Sequence, residues 1–552
     1  MKKGHQTIAV IGGGIGGLTT AHELAERGFD VSVYEANNRF GGKARSMPAT
    51  DGQKPLHGEH GFRFFPAFYR HVTDTMKRIP DGDRMVADNL VATEETLIAR
   101  SGGPSHVAST RQPESVREWL RAMRPAFAED LPSSDVRFLM ERLLYVLTAC
   151  DERREEELDD VSWWDFIDAE NRSPEFRDRV GYAVQSLVAL RPELGSARTI
   201  GTIYLQLLFG QLDPTKPAER ILNGPTNAAW INPWVAHLES LGVEFHADTP
   251  ARRLGFDGRQ ITDAVVSVAG GERTVEADQY VLAVPVEVAP EFVTPDMVRA
   301  APELGRIEHL DTAWMNGIQF YLREVVDLSR GHQIYADSPW ALTSISQRQF
   351  WTDYDFDGRG PDQVEGVLSV IASDWDTPGP LHGKPAHECT REEIATEIWH
   401  QLREHLGDDA GPALTDDLLV DWFLDPALVE TEDGVENRSP LLVNTVGSLR
   451  NRPPAATSIE NLTLAADYVR TNSDLASMES ANEAGRRAAN AILERTGSPA
   501  RSVEIWTLDE PAVFEPAKRQ DGLRYRLGLP HPAEVTQSMR SVTRQLRGIG
   551  GL

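Results

Sequence analysis

Cysteine is almost missing. Only Cys150 and Cys389 occur in 552 residues, with no CxxC pair. That excludes a disulfide framework and a cysteine-rich metal site, and no metal is expected. Positive charge is short as well. Fifty-six Lys and Arg face 84 Asp and Glu, a formal charge of −28, which repels phosphate backbones and anionic lipid head groups, so nucleic acid is not an expected partner. No uninterrupted apolar run is long enough to span a bilayer, so no integral membrane segment is expected. The first apolar stretch, residues 7–11, runs straight into glycines like a structural strand. A cleaved leader is therefore not expected, and a cytoplasmic location is.

The rest of the composition is that of a folded protein, 40% hydrophobic and 25% charged, which argues against wholesale disorder. At this length two or more domains are expected. Near the start, residues 7–11 are β-branched, 12–17 form a glycine turn, 18–27 have helical spacing and 31–34 read as a second strand. This is a βαβ unit opening a doubly wound sheet.

In Gly12-Gly13-Gly14-Ile15-Gly16-Gly17 the glycines at the first, third and sixth places allow a tight turn, close approach of a pyrophosphate and helix–strand packing. Ile15 and Gly16 sit where the following helix points its positive end at the phosphates. Glu35, 18 residues beyond Gly17 and followed by Ala36, can accept hydrogen bonds from both ribose hydroxyls of an adenosine. A 2′-phosphate would be repelled there, which argues against NADP.

A second glycine loop, Arg39-Phe40-Gly41-Gly42-Lys43-Ala44-Arg45, follows the acidic residue. Bound NAD needs no second phosphate-facing loop at this point. The arrangement resembles the second motif of the flavin amine oxidase and phytoene desaturase superfamily, and Lys43 is more like the desaturases. Glu59-His60-Gly61-Phe62-Arg63-Phe64-Phe65 is similar to the Glu-x-Gly-x-His-x-Phe-Phe stretch of plant-type phytoene desaturases, with Arg63 in place of the histidine. Asn461-Leu462-Thr463-Leu464-Ala465-Ala466-Asp467-Tyr468 and Leu475-Ala476-Ser477-Met478-Glu479-Ser480-Ala481 resemble the signature that closes these desaturases, with Ala466 and Ser480 in place of glycines. The resemblance implies FAD held without a covalent bond by Gly12, Gly14, Ile15, Gly16, Gly17, Glu35, Ala36, Gly42, Lys43, Arg63, Phe64, Tyr69, Val243, Asp467 and Met478. Asp467 would bind the ribityl chain, and the Met478 N–H the flavin pyrimidine carbonyl.

The implied fold is α/β with two domains: a Rossmann-type FAD-binding domain with a parallel sheet, and a substrate domain of antiparallel sheet and helices. The expected boundaries assign 1–105, 216–298 and 415–498 to FAD, and 106–215 and 299–414 to substrate. Strands near 243–246, 264–268 and 280–284 are expected to rejoin the first sheet. Residues 110–215 read as a helical insertion, and 499–552, with its prolines, as a loop-rich extension.

Enzymes of the superfamily take a hydride from a C–H bond next to nitrogen or along an allylic chain. The lysine that amine oxidases place near the flavin aligns with Asn316, and plant-type desaturases also tend to show asparagine there. The resemblance thus implies a dehydrogenase or desaturase acting on a largely apolar, isoprenoid-like small molecule. A flavin amine oxidase is the alternative, and an FAD-dependent isomerase or a non-catalytic flavoprotein a further one. Asn227, where plant-type desaturases carry arginine, and the strong negative charge pull against a carotenoid, so substrate identity stays open. His60 and Tyr69 are the candidate bases, and Asn316, Ile318 and Phe320 the candidate substrate wall. The electron acceptor, whether quinone, oxygen or another, and the oligomeric state stay open as well.

Overall fold

The computed structural model describes residues 6–51, 54–103, 105–111, 131–361, 363–408 and 411–534. The expected helical stretch at 112–130 and the extension beyond 534 lie outside the described residues.

Strand Thr7–Ile11 sits at the centre of a five-stranded parallel sheet in the order Glu244–His246, Asp30–Tyr34, Thr7–Ile11, Gln279–Leu282, Leu462–Leu464. Val10 pairs with Val33 on one side and Val281 on the other. Gln279–Leu282 and Leu462–Leu464 are buried at every position, as a sheet covered on both faces requires. Helices Ile15–Ala25 and Met478–Thr496 pack on each other against this sheet. Their approach depends on glycine, since a Cβ on Gly485 would stand 2.5 Å from the Gly16 carbonyl oxygen. The expected strand at 264–268 does not rejoin this sheet. It lies within Ile261–Val268, which forms a separate three-stranded antiparallel sheet with Ala251–Phe256 and Gly271–Val275.

A seven-stranded sheet runs His106–Ser109, Glu95–Ala99, Gly331–Tyr335, Thr343–Ser346, Gly366–Ala372, Asn316–Leu322, Leu419–Leu424. It is antiparallel except where Glu95–Ala99 meets Gly331–Tyr335. Two expected boundaries shift as a result: Glu95–Ala99 and Leu419–Leu424 precede and follow the substrate segments in sequence but hydrogen-bond into their sheet. Helix Arg391–Leu406 covers one face, burying Ile394, Ile398 and Leu402 at a spacing of four. It opens with a capping box, Thr390 accepting from the Glu393 N–H and Glu393 from the Thr390 N–H.

The insertion is helical in its described part, with Ser133–Thr148 and Ala197–Leu212 packed on a core that stacks Trp163 on Tyr204 at 5.2 Å. The extension carries a helix, Glu515–Arg526, which its prolines do not announce. That helix docks on the insertion through Asp521, fully buried and accepting from the Cys150 N–H and Arg153 Nε.

Candidate active site

The glycine turn is fixed by close backbone approaches. Gly12 has φ +110°, and a Cβ there would lie 2.5 Å from the Ala283 carbonyl oxygen. A Cβ on Gly16 would lie 1.9 Å from the Ala465 oxygen, and one on Gly17 2.0 Å from the Gly12 oxygen. Gly14 differs. Its Cβ would make only ordinary contact with Gly42, at 3.7 Å, so nothing within the protein demands a glycine, whereas a ligand brought close would. Gly14 is also the N-cap of the helix that begins at Ile15 and offers no side chain to its first N–H groups, which leaves that end open to an anion.

Glu35 is buried beside this turn. Its Oε2 accepts from Gly13 N at 2.9 Å, and its Oε1 from Asn37 N and Nδ2 at 2.9 and 2.6 Å. The carboxylate therefore braces the turn, and Ala36 beside it is exposed. Val243 stands just before the strand Glu244–His246. It is buried in the core at the foot of its strand, and Thr249 is the residue that comes alongside, its N–H donating to the Glu35 carbonyl at 2.8 Å.

Gly41 and Gly42 have φ of +111° and +57°, and Gly41 bridges to Gly14. This second loop is fastened from several sides. Arg63 donates to the carbonyls of Lys43 and Ala44 at 2.7 and 3.3 Å. Asn227 Oδ1 accepts from Ser46 N at 2.6 Å, while its Nδ2 donates to the Phe40 carbonyl at 3.3 Å. Lys43 pairs with Glu287 at 2.8 Å and also donates to the Pro440 carbonyl. Arg63 and Asn227, read in sequence as replacements at family positions, thus hold the loop's backbone.

The closing segment is gathered by a residue no motif announced. Arg452, buried, donates to the carbonyls of Asp467, Tyr468 and Val469 and pairs with Asp474. Burial pushes its guanidinium down to about 10, so it stays cationic. Burial raises the Asp467 carboxyl, against the pull of Lys43 and Arg452. Met478 opens the helix Met478–Thr496, capped by Ser477 accepting from Ser480 N. Glu479 then accepts from the N–H groups of Arg70, His71 and Val72 and from His71 Nδ1, tying the 69–72 segment to that helix. Burial holds the phenol of Tyr69 well above the ordinary range.

His60 does meet other polar groups. Its Nδ1 contacts Asp425, which also accepts from Asn316 Nδ2 at 2.7 Å, and Asn316 accepts from Asn437 Nδ2 at 2.8 Å. Burial alone would raise the Asp425 carboxyl, but His60, the Ala427 N–H and Asn316 outweigh it and hold it below its usual range. Ile318 and Phe320 turn away from this region. Both are fully buried under helix Arg391–Leu406, Phe320 lying 5.0 Å from the Trp399 ring. Their expected place on a cleft wall is corrected by the alternation of the strand, because the opposite face carries Tyr321 and the neighbouring strand's Ile371. Tyr321 donates to the His57 carbonyl at 3.0 Å, and Ile371 packs with Phe62. Phe64 and Phe62 both contact the His332 ring, at 5.5 and 5.2 Å.

A cavity of about 850 Å³ opens between the insertion and the end of this sheet, lined by Leu190, Leu194, Trp314, Trp375 and Val443 among others. Trp314 and Trp375 meet edge to face at 5.3 Å. Trp314, which lines this cavity, stands two residues before Asn316.

Among the described residues, His22, Glu26 and His237 stand close enough to suggest a metal site. The proton positions speak against it: Trp234 Nε1 donates to His22 Nδ1 at 3.1 Å, so His22 Nε2 carries the proton and donates to Glu26 at 3.1 Å. His22 has no lone pair left for an ion.

With this geometry in place, comparison with known proteins gives three findings. The pattern of the family described as flavin containing amine oxidoreductase matches residues 15–493. The chain is 23% identical over 501 residues to a 15-cis-phytoene desaturase of Synechococcus elongatus, covering 88% of this chain and 96% of that protein. It is 26% identical over 523 residues to a carotenoid phi-ring synthase of Streptomyces griseus, covering 91% and 90%. Among solved structures, a putrescine oxidase bound to putrescine superposes with a TM-score of 0.61 at 16% identity, over 89% of this chain and 99% of that one. A cyclohexylamine oxidase from Brevibacterium oxydans superposes with a TM-score of 0.57 at 15% identity, over 89% and 100%. Both structural likenesses concern the fold.

Proposed function

Since the chain belongs to the flavin containing amine oxidoreductase family, we propose that it is a dehydrogenase of the desaturase kind, removing a hydride from a C–H bond of a largely apolar, isoprenoid-like small molecule. The enzyme is an oxidoreductase with a flavin cofactor. FAD is the form that fits the residues present: two glycine loops face each other, Gly14 is a glycine that no protein contact requires, and an uncapped helix start adjoins a buried carboxylate. Gly14, Ile15 and Glu35 would hold the adenosine diphosphate half, and Asp467 and Met478 the flavin half. Bound there, FAD supplies the two-electron acceptor.

Binding without a covalent bond is supported by the cysteines. Cys150 lies in the insertion and Cys389 beside helix Arg391–Leu406, both buried, with thiols pushed up to about 11 by burial. Acid or heat should release intact FAD from the yellow protein. Flavin that stays attached after denaturation would contradict this.

The observation that carries the substrate reading is the cavity at Trp314. Its lining includes two tryptophans, Leu190, Leu194 and Val443 beside the charged Arg191, Glu193, Asp311, Asp374 and Asp376, and the apolar part suits a chain whose hydrophobic surface leaves water on entry. The resemblance-aligned lysine position is Asn316, already engaged with Asp425 and Asn437. Among the described residues no helix is long and apolar enough to cross a membrane.

The test is anaerobic mixing of the holoprotein with isoprenoids, amines and cyclic alcohols while the flavin absorbance is followed. Bleaching by an isoprenoid with little peroxide on re-aeration supports the reading. Bleaching by amines alone, with rapid peroxide formation, replaces it with the amine oxidase alternative.

A further inference from the structure

We infer that His60 and Asp425 form a proton-accepting dyad, in which Asp425 acts as a positioning residue that fixes the histidine tautomer; the inference rests on the dehydrogenase reading above. The two residues are 365 positions apart and are brought together at the first residues of strand Asn316–Leu322. Gly317 N donates to the His60 carbonyl at 2.8 Å, and Asp425 N donates to the Gly317 carbonyl at 3.1 Å. A Cβ on Gly317 would lie 2.7 Å from the His60 oxygen. Glycine at this position is what lets the 60–61 segment close on the strand.

The tautomer follows from a chain of donors that starts at the backbone. Ser439 N donates to Asn437 Oδ1 at 2.9 Å, which fixes that amide so that its Nδ2 faces Asn316. Asn437 Nδ2 donates to Asn316 Oδ1 at 2.8 Å, so Asn316 must present its Nδ2 to Asp425, at 2.7 Å. Asp425 Oδ1 meanwhile accepts from Ala427 N at 3.0 Å. An ionised carboxylate only accepts, so the proton on the His60 side of this contact belongs to Nδ1. In the neutral imidazole Nε2 then carries the lone pair, and this atom is buried with no hydrogen-bond partner among the described residues. A proton taken up at Nε2 would be balanced by the Asp425 carboxylate, the direct partner of Nδ1. The logic parallels that of a carboxylate holding a catalytic imidazole in one tautomer, reached here through two asparagines.

The step balances as follows. On one substrate carbon the C–H bond would break with its electron pair leaving as hydride, for which FAD held by the residues named above would supply the acceptor. On the neighbouring or vinylogous carbon the C–H bond breaks with its proton passing to His60 Nε2, and the electron pair left behind becomes the second bond of the new C=C. The substrate loses two electrons and the flavin gains two. His60 afterwards releases its proton to water.

Two measurements on the FAD-loaded full chain decide it. In the first, long-range proton–nitrogen spectra of protein labelled with ¹⁵N-histidine, assigned against His60→Gln, should show His60 neutral with its proton on Nδ1. Asp425→Asn should turn that single tautomer into a mixture without loss of FAD. A wild-type His60 carrying its proton on Nε2 overturns the dyad whatever the substrate proves to be. In the second, 15-cis-phytoene in phosphatidylcholine vesicles is mixed anaerobically with the protein and the rate of flavin bleaching recorded. His60→Ala should slow bleaching by on the order of 10²–10⁴-fold with unchanged dependence on phytoene concentration, and added imidazole should restore part of the rate. Full bleaching rate in His60→Ala overturns the proton-accepting role even if the tautomer is as expected. Failure of phytoene to bleach the wild-type protein counts against the substrate reading, and the tautomer measurement still decides the dyad.

Discussion

The glycine turn at 12–17 and the polar corner at His60, Asn316 and Asp425 are built by opposite means. In the first, the decisive contacts are backbone to backbone, as where a Cβ on Gly16 would reach to 1.9 Å from the Ala465 oxygen. Only one residue type satisfies such a contact, so the sequence has to show it. In the second, the side chains of His60, Asn316, Asp425 and Asn437 meet by hydrogen bonding. Several residue types can fill such places, and the pairing depends on sheet register. Backbone-limited sites are stiff and specific in sequence, whereas side-chain networks are assembled by the fold and are visible only in it.

Arg452 tests whether the flavin side has a network weakness of its own. Arg452→Met removes the cation that holds three carbonyls and Asp474, leaving the Asp474 carboxylate buried. Breaking a buried pair in this way costs about 3–5 kcal/mol. Denaturant unfolding should show a loss of that size together with falling FAD content. A variant as stable as the parent would mean that Arg198, the other partner of Asp474, holds the loop unaided.

The substrate sheet should be the more acid-sensitive region at His332. Burial lowers this imidazole from 6.5 to about 4, and it touches Phe62 and Phe64 of the flavin-side motif. The unfolded chain therefore binds a proton that the folded one refuses between these values. Stability from this residue is complete above about pH 6.5 and is lost as pH falls towards 4. The loss at the acid end is on the order of 3 kcal/mol. His332→Leu should flatten the fall in melting temperature across that window, and an unchanged profile would place the acid sensitivity elsewhere, His57 being lowered to about 4 by burial as well.

Gly16→Ala and Gly317→Ala put the comparison itself at risk. Each adds one methyl where a Cβ meets a carbonyl oxygen, at 1.9 and 2.7 Å, and overpacking of this kind costs about 1–3 kcal/mol. The first should lose FAD, because the helix start must move away from the Ala465 carbonyl. The second should keep its FAD and lose substrate-driven bleaching, because it separates His60 from the strand that carries Asn316. Equal loss of FAD in both would erase the distinction between the two regions.

The readable parts of the sequence correspond to this difference. Gly12, Gly14, Glu35, Gly42 and Asp467 stand in motifs whose spacing follows from one βαβ unit and one strand-to-helix return. Arg452 and Asp425 lie outside any motif, and their partners are set by loops that close between distant strands. Glu95–Ala99 and Leu419–Leu424 were missed for a related reason: a strand's hydrophobic pattern says that it is half or fully buried but not which sheet it joins. The same limit explains Ile318 and Phe320. Alternation correctly groups them on one face, but which face meets the helix and which meets the flavin side depends on what packs there.

That last point yields the smallest and cleanest test. Ile318→Val and Ile371→Val each delete one methyl from adjacent strands, and removing it costs about 0.5–1.5 kcal/mol in either place. Ile318 is fully buried and packs in the core beneath helix Arg391–Leu406. Ile371 is on the other face, packed with Phe62 and Phe350, its Cδ1 only 3.1 Å from where a Cβ on Gly61 would lie. The two variants should therefore melt alike and behave differently with substrate. Ile318→Val should bleach its flavin at the parent rate, because the helix-covered face transmits little of a one-methyl cavity through a sheet held in register. Ile371→Val should alter the rate or the substrate concentration needed, since Phe62 and the 60–61 segment rest on it. Should Ile318→Val be the one that changes turnover while Ile371→Val leaves it alone, the face assigned to the helix is the one that meets the substrate, and the cavity at Trp314 must extend under that side of the sheet.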